Sequence, residues 1–187
     1  MSKKSKENQS QVTFPRLKIR PETEEDFTKI TEVNDLAFGQ KNEGILVERL
    51  RETERFVSEL SLVAELEGKI VGYILFYPVT ILSADSEFLS LSLGPMAVIP
   101  ELQRLGIGSQ LVSEGLHAVK RLGHRSVIVL GHPEYYPRFG FKPASRWNIK
   151  APFDAPDEAF MVLELVDNEL TGKSGAVEYP EEFTDAS

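Results

Sequence analysis

Residues 94–111 have the sequence GPMAVIPELQRLGIGSQL, which predicts a strand, a glycine-rich turn and the first turn of a helix. The first N–H groups of a helix have no partner within it, and the aligned peptide dipoles place partial positive charge there. Gly106 and Gly108 lack Cβ atoms, so an anion can approach the backbone of this turn closely. The stretch therefore predicts a site for a phosphate-bearing cofactor.

Two common phosphate-binding motifs do not fit this turn. A dinucleotide fingerprint needs a third glycine three residues after the second, with an acidic residue about twenty positions further on. This chain has Leu111 and then a basic region around Arg125 instead, and the stretch contains no Gly-Lys-Ser/Thr of a P-loop. The pattern that remains is Gln-x-x-Gly-x-Gly, at residues 103–108.

A second motif follows after one predicted helix and one predicted strand. Residues 134–141 have the sequence EYYPRFGF. In this order and at this distance, the two motifs resemble those of the GNAT superfamily of N-acetyltransferases, in which a Tyr-x-Arg-x-Gly-Phe segment occupies the second place. The matching residues are Tyr136, Arg138, Gly140 and Phe141. The resemblance covers the chain from about Leu17 to Val166.

The resemblance implies a fold with both helices and strands, classed as α/β or α+β. It would have a mixed central sheet of about six to seven strands and about four flanking helices. Its fourth and fifth strands are expected to splay apart. The pair Gly94-Pro95 lies inside the predicted strand 88–98 and disrupts a regular ladder, because Pro has no N–H and Gly packs nothing. A simple strand break is the alternative interpretation of this pair.

Hydrophobic periodicity predicts the other elements. Pro21 is expected to open a first helix, and residues 45–54 to form a second one with Ile45, Leu46 and Leu50 facing inward. The remaining predicted elements are a hairpin at 62–66 and 70–77, a helix at 107–122 that ends at Gly123, a strand at 127–130 covered on both faces, and a last strand at 160–166.

The family resemblance also implies the co-substrate, acetyl-CoA, and a site without a metal ion. The residues expected to bind it are Met96, Ala97, Val98, Gln103, Arg104, Leu105, Gly106, Ile107, Gly108 and Ser109. Free backbone groups of residues 96–98 would pair with the amide-bearing arm of CoA as another strand would. A backbone N–H near Ala97 or Val98 would hold the developing oxyanion.

Tyr136 is the predicted catalytic residue, because its place in the motif puts it next to the sulfur of CoA. Aromatic packing is the commoner role of a tyrosine, and it is the role expected for Tyr135. An amine acceptor must also lose a proton before it attacks. The candidates for that base by loop position are Glu101, Glu134 and His132.

The chain of 187 residues is expected to form one domain at 16–168, after a disordered tail at 1–15 and before an acidic extension at 169–187. Residues 151–187 carry ten acidic residues against one lysine, so the net charge of −8 is entirely C-terminal. The extension is either a solvated acidic tail or a segment that packs back on the domain as an extra strand.

Composition limits the compartment and the partners. The absence of cysteine excludes disulfides, Cys-ligated metal and a Cys nucleophile. No apolar stretch reaches the ~20 residues of a membrane span, and the start has no secretory pattern, so a cytoplasmic protein is expected. An acidic chain without a basic stripe repels nucleic acid. The expected protein is a monomer or a homodimer.

The predicted reaction is acetyl transfer from acetyl-CoA to a primary amine of a small molecule or peptide, by direct attack in a ternary complex. A non-catalytic acyl-CoA sensor remains an alternative, and so does an enzyme that modifies a protein N-terminus or lysine.

Overall fold

The computed structural model describes residues 16–184. Its strands are β1 (Leu17–Pro21), β2 (Ser61–Leu66), β3 (Lys69–Leu82), β4 (Glu87–Val98), β5 (Ser126–Leu130), β6 (Lys142–Pro143), β7 (Ile149–Lys150), β8 (Phe160–Glu164) and β9 (Gly175–Glu178). Its α-helices are α1 (Phe27–Phe38), α2 (Asn42–Arg51), α3 (Ile107–Arg121) and α4 (Glu181–Thr184). The predicted tail at 1–15 lies outside the described residues, as do residues 185–187.

The strands form one mixed sheet. Seven follow one path in the order β1-β2-β3-β4-β5-β8-β6, while β9 pairs with β3 and with β7. Strands β4 and β5 are parallel, as are β7 and β9, and the other pairs are antiparallel. The predicted mixed sheet with four helices is confirmed, and β7 and β9 bring the strands among residues 16–184 to nine.

Strand β3 lies inside the sheet, between β2 and β4, and is buried on both faces. Tyr73, Leu75 and Tyr77 pack with the buried residues of α1 and α2. Ile74 and Phe76, which alternate with them, pack instead with the buried face of α3. Because successive side chains of a strand point to opposite faces, this one strand supports a helical layer on each side of the sheet.

The hairpin between β2 and β3 forms as predicted. Strand β2 ends at Leu66 and β3 begins at Lys69, with Glu67 at φ 51° and Gly68 at φ 78° between them. Two central residues with positive φ are typical of a type I′ turn, whose twist matches that of the flanking strands.

The predicted start of the first helix is wrong. Pro21 ends β1, where it pairs with Leu62, and α1 begins only at Phe27 after a short 3-10 helix. The N–H of Thr23 donates to Asp26 Oδ2 at 2.8 Å, so the cap forms at Thr23. The acidic first turn seen in the sequence lies at this cap, where the helix dipole favours negative charge.

The bounds of the second helix also differ from the prediction of 45–54. Helix α2 begins at Asn42, three residues earlier, and ends at Arg51. Its buried residues are Gly44, Val47 and Leu50, whereas Ile45 is exposed. The prediction placed Ile45 inward on hydrophobicity alone, but α2 meets α1 and β3 on the face that contains Val47.

The chain returns to the sheet after β8. Val177 of β9 pairs with Ile81 of β3, and both side chains are buried with Leu170 in one apolar cluster. The following short helix, α4, packs against α2. The C-terminal part of the chain therefore contributes to the core and reaches the side of the sheet that carries α1 and α2.

Gly115 provides a test of the packing between α3 and β3. A Cβ on Gly115 would lie 2.3 Å from Cε2 of the buried Phe76. Alanine is preferred to glycine in helices by about 1 kcal/mol, but overpacking a core costs about 1–3 kcal/mol. At such a short distance we expect overpacking to win, so Gly115→Ala should lower the free energy of unfolding by about 1–2 kcal/mol in urea titrations.

Ser113→Ala on the same helix is the matched control, because Ser113 is exposed. Its stability should equal or slightly exceed that of the original chain. Equal stability of the two variants would contradict the described packing.

Candidate active site

The central feature of the site is the place where β4 and β5 separate. Their parallel pairing covers only Leu91–Leu93 and Val127–Val129. Strand β4 continues to Val98, while β5 ends at Leu130. The peptide bond Gly94-Pro95 is cis, and the β3–β4 register shifts at this point. The second half of β4 therefore has β3 on one side and an open cleft on the other.

The hydrogen bonding between β3 and β4 determines which backbone groups face this cleft. The N–H of Ile99 donates to the carbonyl of Val71 at 3.0 Å, and Ala97 lies opposite Tyr73 in the same register. Bonded and non-bonded pairs alternate along antiparallel strands. The polar groups of Ala97 are thus directed to β3, and those of Met96 and Val98 are directed into the cleft.

The cleft widens into a cavity of about 1900 Å³. One side is the freed half of β4 with the glycine turn, and another is the end of β5 with the tyrosine segment. The far end is closed by the ends of α1 and α2 and by C-terminal residues. The lining residues used below are Phe38, Glu43, Leu46, Ser92, Met96, Val98, Arg104, Gly108, Ser109, His132, Tyr135, Tyr136, Arg138, Phe153, Tyr179 and Phe183.

The two glycines of the turn have different roles. Gly106 caps the N-terminus of α3 with φ 95°, and a Cβ there would meet no atom within 4 Å, so its conformation is what requires glycine. A Cβ on Gly108 would lie 3.2 Å from the hydroxyl of Tyr135 and 3.4 Å from Sδ of Met96. At Gly108 the requirement is close packing.

Nine of the ten residues predicted to bind the cofactor line the cavity, and Ile107 does not. Its side chain is 1% exposed and lies in the core. The Gln103 amide donates to the carbonyl of Val98 at 2.9 Å, which ties the turn to the end of β4. Arg104 is exposed beside it and has φ 62°.

The two adjacent tyrosines lie in different surroundings. The Tyr135 hydroxyl is 3.3 Å from Oγ of Ser109, and the Arg138 guanidinium lies 4.5 Å from the centre of its ring. Burial raises the pKa of Tyr135, partly offset by the bond to Ser109 and the charge of Arg138. Sequence reasoning assigned Tyr135 to packing, but its hydroxyl lies at the glycine turn.

Tyr136 lies deeper in the wall. It is 6% exposed, and its ring meets those of Tyr135 and Phe141 edge to face, with centroids 5.1 Å and 5.6 Å away. Burial is the main cause of its raised pKa. Within the described part of the chain, its hydroxyl has no hydrogen-bond partner, and Tyr136 lines the cavity. This hydroxyl remains available to an incoming group.

The three candidate bases differ in whether they line the cavity. His132 lines the cavity, and its carbonyl accepts hydrogen bonds from the N–H groups of Tyr135 and Tyr136 at 3.0 Å and 3.3 Å. Glu101 and Glu134 are exposed and do not line the cavity. Glu43 does line it, although no motif in the sequence singled it out. Its place on the first turn of α2 became visible only with the corrected helix bounds.

Some alternatives find no support within residues 16–184. No three His, Asp or Glu side chains there come together as a metal site. None of the helices in that range is long and apolar enough to cross a bilayer.

A split between parallel strands that faces a glycine turn at a helix N-terminus is the arrangement that the resemblance to GNAT acyltransferases implies, and comparisons with known proteins agree. A family model for the acetyltransferase (GNAT) domain matches residues 18–144. The Escherichia coli protein named uncharacterized N-acetyltransferase YjhQ is 42% identical over 134 residues, covering 71% of this chain and 74% of YjhQ. Another from that bacterium, YhbS, is 36% identical over 166 residues, covering 88% of this chain and 97% of YhbS.

Solved structures show the same similarity. The crystal structure of Escherichia coli YhbS in complex with CoA has a TM-score of 0.83 and 34% identity, covering 90% of this chain and 92% of YhbS. The crystal structure of a GNAT family acetyltransferase from Brucella melitensis in complex with acetyl-CoA has a TM-score of 0.73 and 34% identity. The match covers 89% of this chain and 97% of the Brucella protein. The chain belongs to the GNAT acetyltransferase family and is an acyltransferase.

Proposed function

We propose that this chain transfers an acetyl group from acetyl-CoA to a primary amine of a small molecule or peptide, by direct attack in a ternary complex. The observation that carries the proposal is one continuous cavity of about 1900 Å³ that joins the glycine turn, the freed edge of β4 and a separate far end. Two substrates can therefore meet at the freed edge. The similar proteins from Escherichia coli and Brucella melitensis hold CoA and acetyl-CoA.

The glycine turn would bind the pyrophosphate of acetyl-CoA. The N-terminus of α3, a helix of 15 residues, offers unpaired N–H groups and the positive end of its dipole. Arg104 and Arg138 line the same end of the cavity and add positive charge. From this turn the amide-bearing arm would extend along β4, where the backbone groups of Met96 and Val98 take the place of a neighbouring strand.

The thioester would then lie next to the end of β4. The acceptor ammonium first gives a proton to water or to His132, the candidate base that lines the cavity. The neutral amine nitrogen then attacks the thioester carbonyl carbon, and negative charge develops on the carbonyl oxygen. The N–H of Val98 faces the cleft, whereas that of Ala97 is directed to β3, so Val98 is the donor that would stabilise this oxyanion. A preorganised donor of this kind contributes roughly 3 kcal/mol.

The carbon–sulfur bond then breaks and CoA leaves as a thiolate. We assign Tyr136 as the donor that stabilises the leaving sulfur. A free phenol has a pKa near ~10 and a thiol near ~8.5, so full proton transfer is already unfavourable by about 2 kcal/mol. Burial raises the pKa of Tyr136 further. Tyr136 would therefore keep its proton and donate a hydrogen bond while charge builds on sulfur.

Thiol release tests the whole proposal. Acetyl-CoA is mixed with a panel of polyamines, amino acids, aminoglycosides, arylalkylamines and peptides, and the product amide is identified by mass. Acetylation of at least one amine at a rate above the uncatalysed reaction is expected. Tight binding of acetyl-CoA with no acetylated product from any amine would instead favour a sensor.

Gly108 tests the phosphate site. A side chain there meets Tyr135 and Met96, and a carboxylate would also repel phosphate. We expect Gly108→Glu to weaken acetyl-CoA binding at least tenfold in calorimetry, or ~1.4 kcal/mol. Gly108→Gln has the same size without the charge, so it should bind more tightly than Gly108→Glu, with a difference that shrinks as salt is added. Unchanged affinity in folded Gly108→Glu would contradict the site.

Tyr136→Phe tests the leaving-group donor. It keeps the ring and its packing, and the hydroxyl has no partner among residues 16–184, so stability should change by less than about 1 kcal/mol. A positioned acid contributes typically 10²–10⁴-fold, but a thiolate leaves fairly well unaided, so kcat should fall roughly 10- to 300-fold. Calorimetric affinity for acetyl-CoA should stay within about threefold, because the interaction strengthens only as the bond breaks.

Tyr135→Phe is the matched control. Its hydroxyl lies at the glycine turn beside Ser109, so its loss should affect acetyl-CoA binding modestly and leave kcat within about threefold. A larger loss of kcat in Tyr135→Phe than in Tyr136→Phe would reverse the assignment of the two tyrosines.

A further inference from the structure

Charge is distributed unevenly along the cavity. Arg104 and Arg138 line the end at the glycine turn, and of the described residues in the lining, Glu43 is the only carboxylate. Glu43 lies on the first turn of α2 beside Leu46, on the face of the sheet that packs against α1 and α2, whereas α3 packs on the other face. The cavity is thus complementary to an anionic co-substrate at one end and to a single cation at the other.

Only one of the two Glu43 carboxylate oxygens has a hydrogen-bond partner among the described residues. Oε1 accepts a hydrogen bond from Gln40 Nε2 at 2.9 Å. Oε2 is buried and has no partner among the described residues. A buried carboxylate oxygen without a partner is costly, and a cation beside the carboxylate would offset that cost. The nearby oxygens of Asn34 and Asp35 are also unpaired, but neither residue lines the cavity.

Helix α2 is held firmly, so Glu43 is positioned before any ligand arrives. At the other end of the helix, the Arg51 guanidinium donates to both oxygens of Glu22 at 2.8 Å and 3.0 Å. It also lies 3.7 Å from the centre of the Phe27 ring. The Ser61 hydroxyl donates a hydrogen bond to Glu22 and shares another with the hydroxyl of the buried Tyr73. These hydrogen bonds tie the helix to the sheet.

Aromatic side chains form the wall near Glu43. They are Phe38, Phe153, Tyr179 and Phe183. We call these four residues the aromatic wall. Phe38 and Phe153 are 43% and 45% exposed, so much of their ring surface is uncovered.

Contacts within the C-terminal part of the chain keep the aromatic wall in place. The ring of Tyr179 lies 5.2 Å from that of Phe183 and 5.9 Å from that of Phe153. Phe183 packs edge to face on the buried Tyr77, at 5.9 Å. Ser92 of β4, just before the strands separate, lies close enough to the Tyr179 hydroxyl to offset part of the rise in its pKa that burial causes. The wall therefore begins next to the reacting end of the cleft.

We infer that the acceptor is a primary amine attached to an aromatic or bulky apolar group, with its ammonium paired with the Glu43 carboxylate and its apolar part against the aromatic wall. The inference rests on the proposed function and specifies its substrate class. A single carboxylate suits one ammonium better than the several of a polyamine. Aromatic faces add to this preference, because they attract cations as well as apolar groups.

Calorimetry on the complex with CoA tests the inference without turnover. The probes are 2-phenylethylamine, 2-phenylethanol, which has the same body without the charge, and ethylamine, which has the charge without the body. We expect 2-phenylethylamine to bind at least about tenfold more tightly than either of the others. Glu43→Gln should remove the preference for the amine over the alcohol and keep the preference for the aromatic body.

Phe153→Ala should have the converse effect, with a weaker preference for the aromatic body and unchanged binding of ethylamine. Two variants are matched controls. Glu48→Gln makes the same change of charge on an exposed part of α2, and Leu89→Ala removes an exposed apolar side chain outside the cavity. Both should bind all three probes like the original chain. In kinetics, Glu43→Gln should raise the KM for 2-phenylethylamine at least about tenfold, with the KM for acetyl-CoA within about threefold.

Equal effects of Glu43→Gln and Glu48→Gln would overturn the inference, and so would equal affinity for ethylamine and 2-phenylethylamine. If ethylamine and 2-phenylethylamine are acetylated with the same KM and Glu43→Gln changes neither, the inference fails while the proposed function stands. The expected binding pattern without thiol release would support the ammonium site and contradict the proposed acetyl transfer.

Discussion

The structure depends on the early end of the pairing between β4 and β5. The two parallel strands stop pairing with each other after Leu93 and Val129. From there on, β4 is paired with β3 on one side only. Backbone groups need hydrogen-bond partners when they are buried. The polar groups of Met96 and the N–H of Val98 are therefore directed into a cleft where water or a ligand must satisfy them, whereas the Val98 carbonyl is bonded to Gln103. The cavity, the glycine turn and the tyrosine segment are all arranged around that cleft.

The scaffold keeps this gap open because the sheet is supported on both faces. Strand β3 alternates its side chains between α3 and the pair α1 and α2, so the freed half of β4 is fixed by its one remaining neighbour. Gln103 then ties the glycine turn to Val98 at 2.9 Å. The anion-binding end of α3 and the unpaired strand edge are thereby held in one relative position, which lets a long cofactor contact both.

The two ends of the cavity are built from different parts of the chain. Arginines and a helix N-terminus surround one end, and one carboxylate with an aromatic wall surrounds the other. The wall includes Tyr179 and Phe183, which follow β9, so the acidic C-terminal part of the chain contributes apolar residues to the site. Glu43, which lines the cavity together with this wall, lies on a helix anchored by the Arg51–Glu22 ion pair.

The sequence alone determined the features that depend on neighbouring residues. The glycine turn, its helix, the disruption at Gly94-Pro95 and the order of elements are local, and they predicted the family fold correctly. The register of β3 against β4, the different depths of Tyr135 and Tyr136, and the meeting of α2 with α4 were decided only by tertiary structure. Such relations depend on which strand faces and helix ends meet, and no local pattern records them; α2 and α4, for example, are more than 100 residues apart.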